Sequence, residues 1–202
     1  MARYGKTLVV GLGGAIGSGK SVIRDAFGVL GGWETVDCDT EAKALYFAPL
    51  VREEIKTRLH FDPLTDGRLD AQLLRSLLAE PGKGEVLEQI IHGALFDLLR
   101  QKSLETEGEV LLVESAILFS SGLAGLCDKT IAVIAPQEVR AERAGKRDIG
   151  KGADFFRGME KRQELERKLL GDADYEVSNF GRHSVILQTE QIIKQILKYD
   201  RR

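Results

Sequence analysis

The chain has 202 residues, the length of one domain with insertions rather than of two independent domains. Hydrophobic residues make up 43% and charged residues 30%, which is typical of a globular protein with a substantial core. The formal net charge of -2 provides no general attraction to nucleic acid or anionic membranes, so we expect neither as a partner. Two cysteines are too few for a disulfide scaffold and fit a reducing, cytoplasmic location.

The first apolar run follows Arg3 and Lys6, an arrangement that secretory signals also show. The run passes directly into the glycine-rich stretch "GGAIGSGKS" without a small-residue cleavage site. We therefore predict a buried strand over residues 7–12 rather than a signal peptide. No run reaches the ~20 apolar residues that a membrane-spanning helix requires.

A helix is predicted after the glycine-rich stretch, ending at the pair Gly31 and Gly32. Its apolar residues at helical spacing are Val22, Ile23, Ala26, Phe27 and Leu30. The stretch "WETVDCD" follows and predicts a second strand that ends in acidic residues. Strand, loop, helix and strand in this order form a βαβ unit, which indicates a parallel sheet.

Strand signals are missing between residue 40 and about residue 107, where amphipathic helices are predicted over residues 70–80 and 85–102. We interpret this region as a helical insertion. Strands are predicted again over residues 109–118 and 129–135, and Pro136 then opens a helix. A late strand in "ADYEVSN" and a closing helix around residues 192–197 complete the pattern.

The segment 137–168 is a positively charged arm in a chain that is negative overall. It contains ten basic and seven acidic residues, which gives it a net charge of +3.

The glycine-rich stretch has the spacing Gly14-x-x-x-x-Gly19-Lys20-Ser21. This is the pattern of a loop whose backbone N–H groups cradle phosphates, with a lysine for the β- and γ-phosphates and a hydroxyl for Mg²⁺. A flexible turn with a solvated lysine is the alternative. The strand before the loop and the helix after it favour the cradle, because the helix directs its positive end towards an anion.

Several classes of nucleotide-binding protein share such a loop. A GTPase would require an N-K-x-D segment to read guanine, which the sequence lacks, and motor ATPases are usually larger. The helical insertion and the arginine-rich arm favour a kinase that closes over a small acceptor.

Asp37 and Asp39 lie at the predicted end of the second strand, where parallel strands meet the ligand crevice. One of these carboxylates can accept the proton of an attacking hydroxyl group. Alternatively, Asp37 ends the strand and Asp39 caps a helix that begins near Thr40. Position alone leaves both interpretations open.

With these motifs the sequence resembles the dephospho-CoA kinase family, whose members transfer the γ-phosphoryl group of ATP to the ribose 3′-hydroxyl of dephospho-CoA. The resemblance covers nearly the whole chain in the expected order. The segments that carry it are "GLGGAIGSGKS", "VDCD", "DGRLD", "IIH", "VESAILFSSGL", "RAGKRD" and "ADYEVSNFG".

The resemblance implies a three-layer α/β P-loop kinase fold with a parallel sheet. It places the core in residues 1–39, 108–136 and 171–202, a helical acceptor-binding insertion in 40–107 and a helical lid in 137–170. ATP and Mg²⁺ are the implied cofactors.

The resemblance also implies the roles of individual residues. Asp39 would be the general base, assisted in catalysis by Lys20 and Arg147, and Asp39, His92 and Glu114 would bind the acceptor. Ser21 would hold Mg²⁺, with Asp37 or Glu114 acting through water. The implied ATP-binding residues are Gly14, Ala15, Ile16, Gly17, Ser18, Gly19, Lys20, Ser21, Val22, Arg143 and Asn179.

Each role outside the loop has a plainer alternative. Glu114 is then a strand-end charge, His92 a partly buried structural histidine and Asn179 a turn residue. Arg143 and Arg147 lie one helical turn apart, as they also would in a solvated helix.

The sequence departs from the family pattern at four positions. Gly13 replaces a threonine, Ala15 a glycine, Gly93 a proline and Ser120 a glutamate. Ala15 is compatible with the loop if its φ is negative, and Ser120 bears on acceptor recognition. A nucleoside or nucleotide kinase of the same fold and a non-catalytic nucleotide sensor are the alternative functions.

Overall fold

A computed structural model describes residues 7–147 and 152–200. The chain forms two compact units, one comprising Met1–Asp37 with Ser103–Arg202 and the other comprising Cys38–Lys102. Within the described ranges, no helix combines the length and the apolar character needed to cross a membrane.

The strands and helices alternate at both ends of the chain, as the βαβ pattern predicts. In chain order they are β1 (Leu8–Gly13), α1 (Lys20–Gly31), β2 (Glu34–Asp37), α2 (Cys38–Leu45), α3 (Pro49–Leu59), β3 (Leu64–Thr65), β4 (Arg68–Leu69), α4 (Ala71–Leu78), α5 (Lys83–Glu105), β5 (Val110–Glu114), β6 (Lys129–Ile134), α6 (Gln137–Arg147), α7 (Gly152–Arg162), α8 (Glu164–Leu169), β7 (Tyr175–Ser178) and α9 (Val185–Asp200).

The first unit is built on a five-stranded sheet in the order β2-β5-β1-β6-β7. All neighbouring strands are parallel, and β1 lies in the centre, with Leu8 opposite Val110 of β5 and Val10 opposite Lys129 of β6. The carboxyl ends of β1, β5 and β2 therefore lie at one edge of the sheet. The predicted parallel α/β sheet is confirmed.

One face of this sheet packs against α1 and α9. Alternate residues of β1, from Leu8 to Leu12, point into this core together with Ile23 and Phe27 of α1. The Phe27 ring stacks on Trp33 with centroids 4.8 Å apart. The predicted end of α1 is confirmed, because Gly32 follows the helix with a φ of 65°.

The opposite face of β1 is covered by the segment that follows β5. A Cβ atom added to Gly11 would lie 2.8 Å from the Cys127 sulfur, and one added to Gly13 would lie 3.0 Å from the Phe119 ring. Glycine at these positions lets the segment approach the strand closely. The central strand β1 is thus covered on both faces, as the predicted three-layer class requires.

Two strand predictions are too long. The second strand ends at Asp37 rather than Asp39, because Cys38 already begins α2 and the acids Asp39 and Glu41 favour the first turn of that helix. The strand predicted over residues 109–118 ends at Glu114. Beyond it the Ser115 hydroxyl accepts a hydrogen bond from the N–H of Ile117, which turns the chain.

The second unit consists of α2 to α5 and a small hairpin. Its core joins apolar residues of α3, α4 and α5, among them Ile55, Leu77 and Ile90. Asp70 caps α4 by accepting hydrogen bonds from the N–H groups of Gln72 and Leu73.

The expectation that residues 40–107 contain no strand is wrong. Strands β3 and β4 pair antiparallel across Asp66 and Gly67, whose φ values are 50° and 73°. Asp-Gly is a strong signal for a two-residue hairpin turn, because both residues tolerate positive φ. The limits 40–107 for an acceptor-binding insertion stay a prediction.

Candidate active site

The glycine-rich loop connects the carboxyl end of β1 to the first turn of α1. Gly17 and Gly19 have φ values of 77° and 90°, in the region that favours glycine. A Cβ atom on Gly17 would collide with the Arg140 carbonyl oxygen, and one on Gly19 would collide with the Asn179 amide. The loop is therefore tightly enclosed by neighbouring segments.

The two departures from the family pattern in and before the loop fit this structure. Among the described residues other than glycine, only His60 and Asp66 have a positive φ, so Ala15 does not need the freedom of glycine. The condition set for Ala15, a φ that is not positive, is therefore met. The space beside Gly13 is occupied by Phe119 and Leu118, which leaves little room for a threonine side chain.

Lys20 and Ser21 stand at the start of α1. The Lys20 ammonium donates a hydrogen bond to the Gly14 carbonyl oxygen at 2.8 Å. The exposed Ser21 hydroxyl donates to a carboxylate oxygen of Glu114 at 3.2 Å. The hydrogen bond between Ser21 and Glu114, both predicted to lie in the site, thus joins the loop to the carboxyl end of β5.

Arg24 links the two acids that end β2 and β5. Its guanidinium lies 3.2 Å from Asp37 and 3.0 Å from Glu114. Burial raises the pKa of the Glu114 carboxyl above its usual value, while the positive charges of Lys20 and Arg24 act in the opposite direction. Sequence reasoning missed Arg24, although its position one turn after Lys20 on the same helix could have indicated it.

These residues fit a magnesium ion held mainly by phosphate oxygens and water. The Ser21 hydroxyl and the Glu114 carboxylate provide neighbouring oxygen atoms, which are the ligands that Mg²⁺ prefers. Among the described residues there is no group of three His, Cys, Asp or Glu placed to hold a metal by itself. That is consistent with the usual coordination of Mg²⁺ by one or two protein groups in phosphate-binding sites.

Arg143 and Asn179 meet at the other side of the loop. Both donate to the Ser18 carbonyl oxygen, Arg143 at 3.3 Å and Asn179 at 2.8 Å. Arg143 also donates to the Asn179 carbonyl oxygen at 2.9 Å. Arg143 is therefore bonded to the loop and is not a solvated helix residue, and the two side chains predicted to bind ATP lie together.

Asp39, His92 and Arg147 are predicted residues that lie farther along the chain than the loop. Asp39 is exposed in the first turn of α2, and His92 is half-buried in α5. Both belong to the second unit, and their roles stay predictions. Arg147 ends α6, but its side chain lies outside the described residues.

Three buried side chains of the arm, Arg140, Gln163 and Glu166, contact the loop or the segment after β5. Arg140 donates to the Ile16 carbonyl oxygen at 3.3 Å, and Gln163 accepts from the Ile16 N–H at 2.7 Å. Glu166 accepts from the N–H groups of Phe119 and Ser120. Sequence reasoning missed all three, because no local sequence pattern indicates a contact between residues that lie 46 or more positions apart.

Glu166 also bears on the departure at Ser120. The family pattern has a glutamate at that position, and here the fully buried carboxylate of Glu166 binds the Ser120 N–H at 2.8 Å. An acidic group is therefore present at this turn, supplied by α8.

Comparison with known proteins gives a consistent result. The family model for dephospho-CoA kinase matches residues 8–183. The dephospho-CoA kinase of Porphyromonas gingivalis is 36% identical over 194 residues, which cover 94% of each chain.

Two solved structures have the same fold. One, from Thermus thermophilus, has a TM-score of 0.75 at 28% identity and covers 96% of this chain and 97% of its own. The other, the dephospho-CoA kinase of Campylobacter jejuni, has a TM-score of 0.64 at 20% identity and covers 95% and 98%. Since the family model spans most of the sequence and the curated relative is matched over nearly its full length, this chain belongs to the dephospho-CoA kinase family, an ATP-dependent family of phosphotransferases.

Proposed function

We propose that this chain phosphorylates the ribose 3′-hydroxyl of dephospho-CoA with MgATP, producing coenzyme A. The observation that carries the proposal is the loop at residues 14–21, with Lys20 closed onto Gly14 and Ser21 bonded to Glu114. This arrangement supplies backbone donors, a cation and metal ligands within one small volume, as phosphoryl transfer requires.

The loop and the residues around it have separate roles in the proposed reaction. The loop's N–H groups and the Lys20 ammonium bind the β- and γ-phosphates, and Arg143 and Asn179 enclose the nucleotide side of the loop. Ser21 would hold Mg²⁺ directly, and Glu114 or Asp37 would orient its water ligands. A Mg²⁺ ion held by these residues would supply neutralisation of the phosphate charge.

Asp39 is the proposed general base. The acceptor's 3′-oxygen forms a bond to the γ-phosphorus while the bond from that phosphorus to the β–γ bridging oxygen breaks. The hydroxyl proton passes to the Asp39 carboxylate, and ADP leaves with the electron pair. His92 contributes to acceptor binding, and Arg147 stabilises the phosphoryl group in flight through its planar pair of donors.

A cytoplasmic location is part of the proposal. Cys38 and Cys127 are both buried and form no disulfide, which suits a reducing compartment.

A coupled assay of ADP release with several acceptors tests the proposal. We expect kcat/KM for dephospho-CoA to be well above that for adenosine or AMP, because the pantetheine arm supplies binding energy that orients the hydroxyl group. Equal use of AMP would instead indicate a nucleotide kinase. ATP binding without turnover of any acceptor would indicate a nucleotide sensor.

A further inference from the structure

Gln163 connects two segments of the active-site edge through one side chain. It precedes α8 and is only 3% exposed. Its carboxamide oxygen accepts from the Ile16 N–H at 2.7 Å, and its carboxamide nitrogen donates to the Ala116 carbonyl oxygen at 3.2 Å. Both partners are backbone groups far away in sequence.

The two backbone partners of Gln163 lie in different segments of the proposed active site. Ile16 lies inside the phosphate-binding loop, and Ala116 lies two residues after Glu114. Gln163 therefore bridges the loop to the segment that leaves the carboxyl end of β5. The Ser21–Glu114 hydrogen bond joins the same two parts of the chain at the proposed metal site.

Ile16 is held at both of its backbone groups. Its N–H is bonded to Gln163, and its carbonyl oxygen accepts from Arg140, whose guanidinium is itself paired with the buried Glu160. The Ile16 N–H is consequently committed to the protein, and phosphate must be bound by the other N–H groups of the loop. The conformation of those groups depends on where Ile16 is fixed.

We propose that Gln163 is a positioning residue for phosphoryl transfer, holding the loop at Ile16 in register with the β5 end at Ala116. The inference rests on the proposed function, since it assigns Gln163 a part in the geometry of that reaction. Misplacing reacting groups by about 1 Å can cost on the order of 10²-fold in rate, so a residue that fixes the loop can control kcat without touching substrate.

The test substitutes Gln163→Met, which keeps the side-chain length and loses both hydrogen bonds. Thr7→Val is the matched control, because the buried Thr7 hydroxyl likewise contacts backbone carbonyl oxygens, those of Thr106 and Gly108, but at the opposite end of β1. Both proteins are compared with wild type by steady-state kinetics, by calorimetric titration with ATP and by thermal melting.

For Gln163→Met we expect kcat to fall on the order of tenfold and the Kd for ATP to rise, while KM for dephospho-CoA stays within about twofold. Thr7→Val should lower the melting temperature and leave the kinetic constants unchanged. If Gln163→Met does not fold, Gln163→Glu keeps the acceptor for Ile16 and loses the donor to Ala116, and a fall in kcat with an unchanged KM for dephospho-CoA is expected again.

Kinetic constants and ATP affinity at wild-type values in the folded variant, with only the melting temperature lowered, would overturn the proposal. The ATP titration also separates the two proposals of this article. A wild-type protein that binds ATP and does not phosphorylate dephospho-CoA would refute the proposed function, and the change in ATP affinity on Gln163→Met would still decide whether Gln163 fixes the loop.

Discussion

Lys20 donates a hydrogen bond from Nζ to the carbonyl oxygen of Gly14, 2.8 Å away, so the lysine that ends the loop closes onto the glycine that begins it. The ammonium charge is thereby held beside the segment whose N–H groups are proposed to bind the phosphates. Under the proposed function, this contact would position the charge before a nucleotide arrives and reduce the reorganisation required during transfer.

Lys20→Ala should lower kcat more than it weakens ATP binding, because a positioned charge matters most where charge develops. Loss of one such donor typically costs about 10²- to 10³-fold in kcat. Kinetics combined with calorimetric ATP titration measure both effects. Lys194→Ala, at an exposed position of α9, is the control for net charge. Wild-type kcat in Lys20→Ala would refute the phosphate-binding assignment.

Asp39→Asn should lower kcat by ~10²- to 10⁴-fold, since the amide cannot accept the proton of the attacking hydroxyl. Loss of an acid from the first turn of α2 should cost only about 0.3–1 kcal/mol of stability. Glu41→Gln is a matched control, because it removes a charge from the same turn. Kinetics and thermal melting of both variants show whether Asp39 acts as the general base. An unchanged kcat in Asp39→Asn would mean that Asp39 only stabilises α2.

Arg147→Lys should lower kcat and leave the affinity for dephospho-CoA nearly unchanged. Lysine keeps the positive charge and loses the planar pair of donors that a transferring phosphoryl group can engage. Arg147→Ala should be at least as severe. Lys146→Ala, one residue earlier and paired with Glu142, is the control. Full activity of both Arg147 variants would show that this arginine is an ordinary surface charge.

Asp62→Asn should make the stability of the second unit less dependent on pH. Hydrogen bonds from the Arg52 guanidinium, aided by Lys56 and the Leu64 N–H, hold the pKa of the Asp62 carboxyl well below its usual value of 3.8. A lowered pKa means that the unfolded chain binds more protons in this range, so the stabilisation is complete above the unfolded pKa and is lost as pH falls.

Denaturant unfolding between about pH 2 and pH 7 measures this effect. Wild type should be more stable than Asp62→Asn at neutral pH, and the difference should shrink as the solution becomes acidic. A difference that does not change with pH would contradict the role of the Arg52–Asp62 pair.

Local patterns in the sequence were sufficient for the central elements of the fold. The apolar run at residues 7–12, the glycine spacing and the amphipathic pattern after it predicted β1, the loop and α1. These features depend on neighbours in sequence, namely alternation within a buried strand, backbone freedom at glycine and the 3.6-residue period of a helix. The same reasoning predicted the parallel sheet, because parallel strands require a crossover connection and a helix between two strands provides one.

Element ends were less predictable. The sequence leaves Asp39 either at the end of a strand or at the start of a helix, since acidic residues suit both positions, and Asp39 lies in the first turn of α2. The β3–β4 hairpin was overlooked, although the Asp66-Gly67 pair carries a recognisable turn signal. Strands of two residues are too short for alternation to reveal them.

The contacts that enclose the loop were decided by tertiary structure alone. Arg24 could be placed one turn after Lys20 from the sequence, but its position between Asp37 and Glu114 depends on which strands become neighbours in the sheet. Gln163 reaches Ile16 only because α8 packs beside the segment that follows β5. A glutamine has no periodicity or spacing that marks its partners, and a hydrogen bond between residues 147 positions apart exists only after the chain has folded.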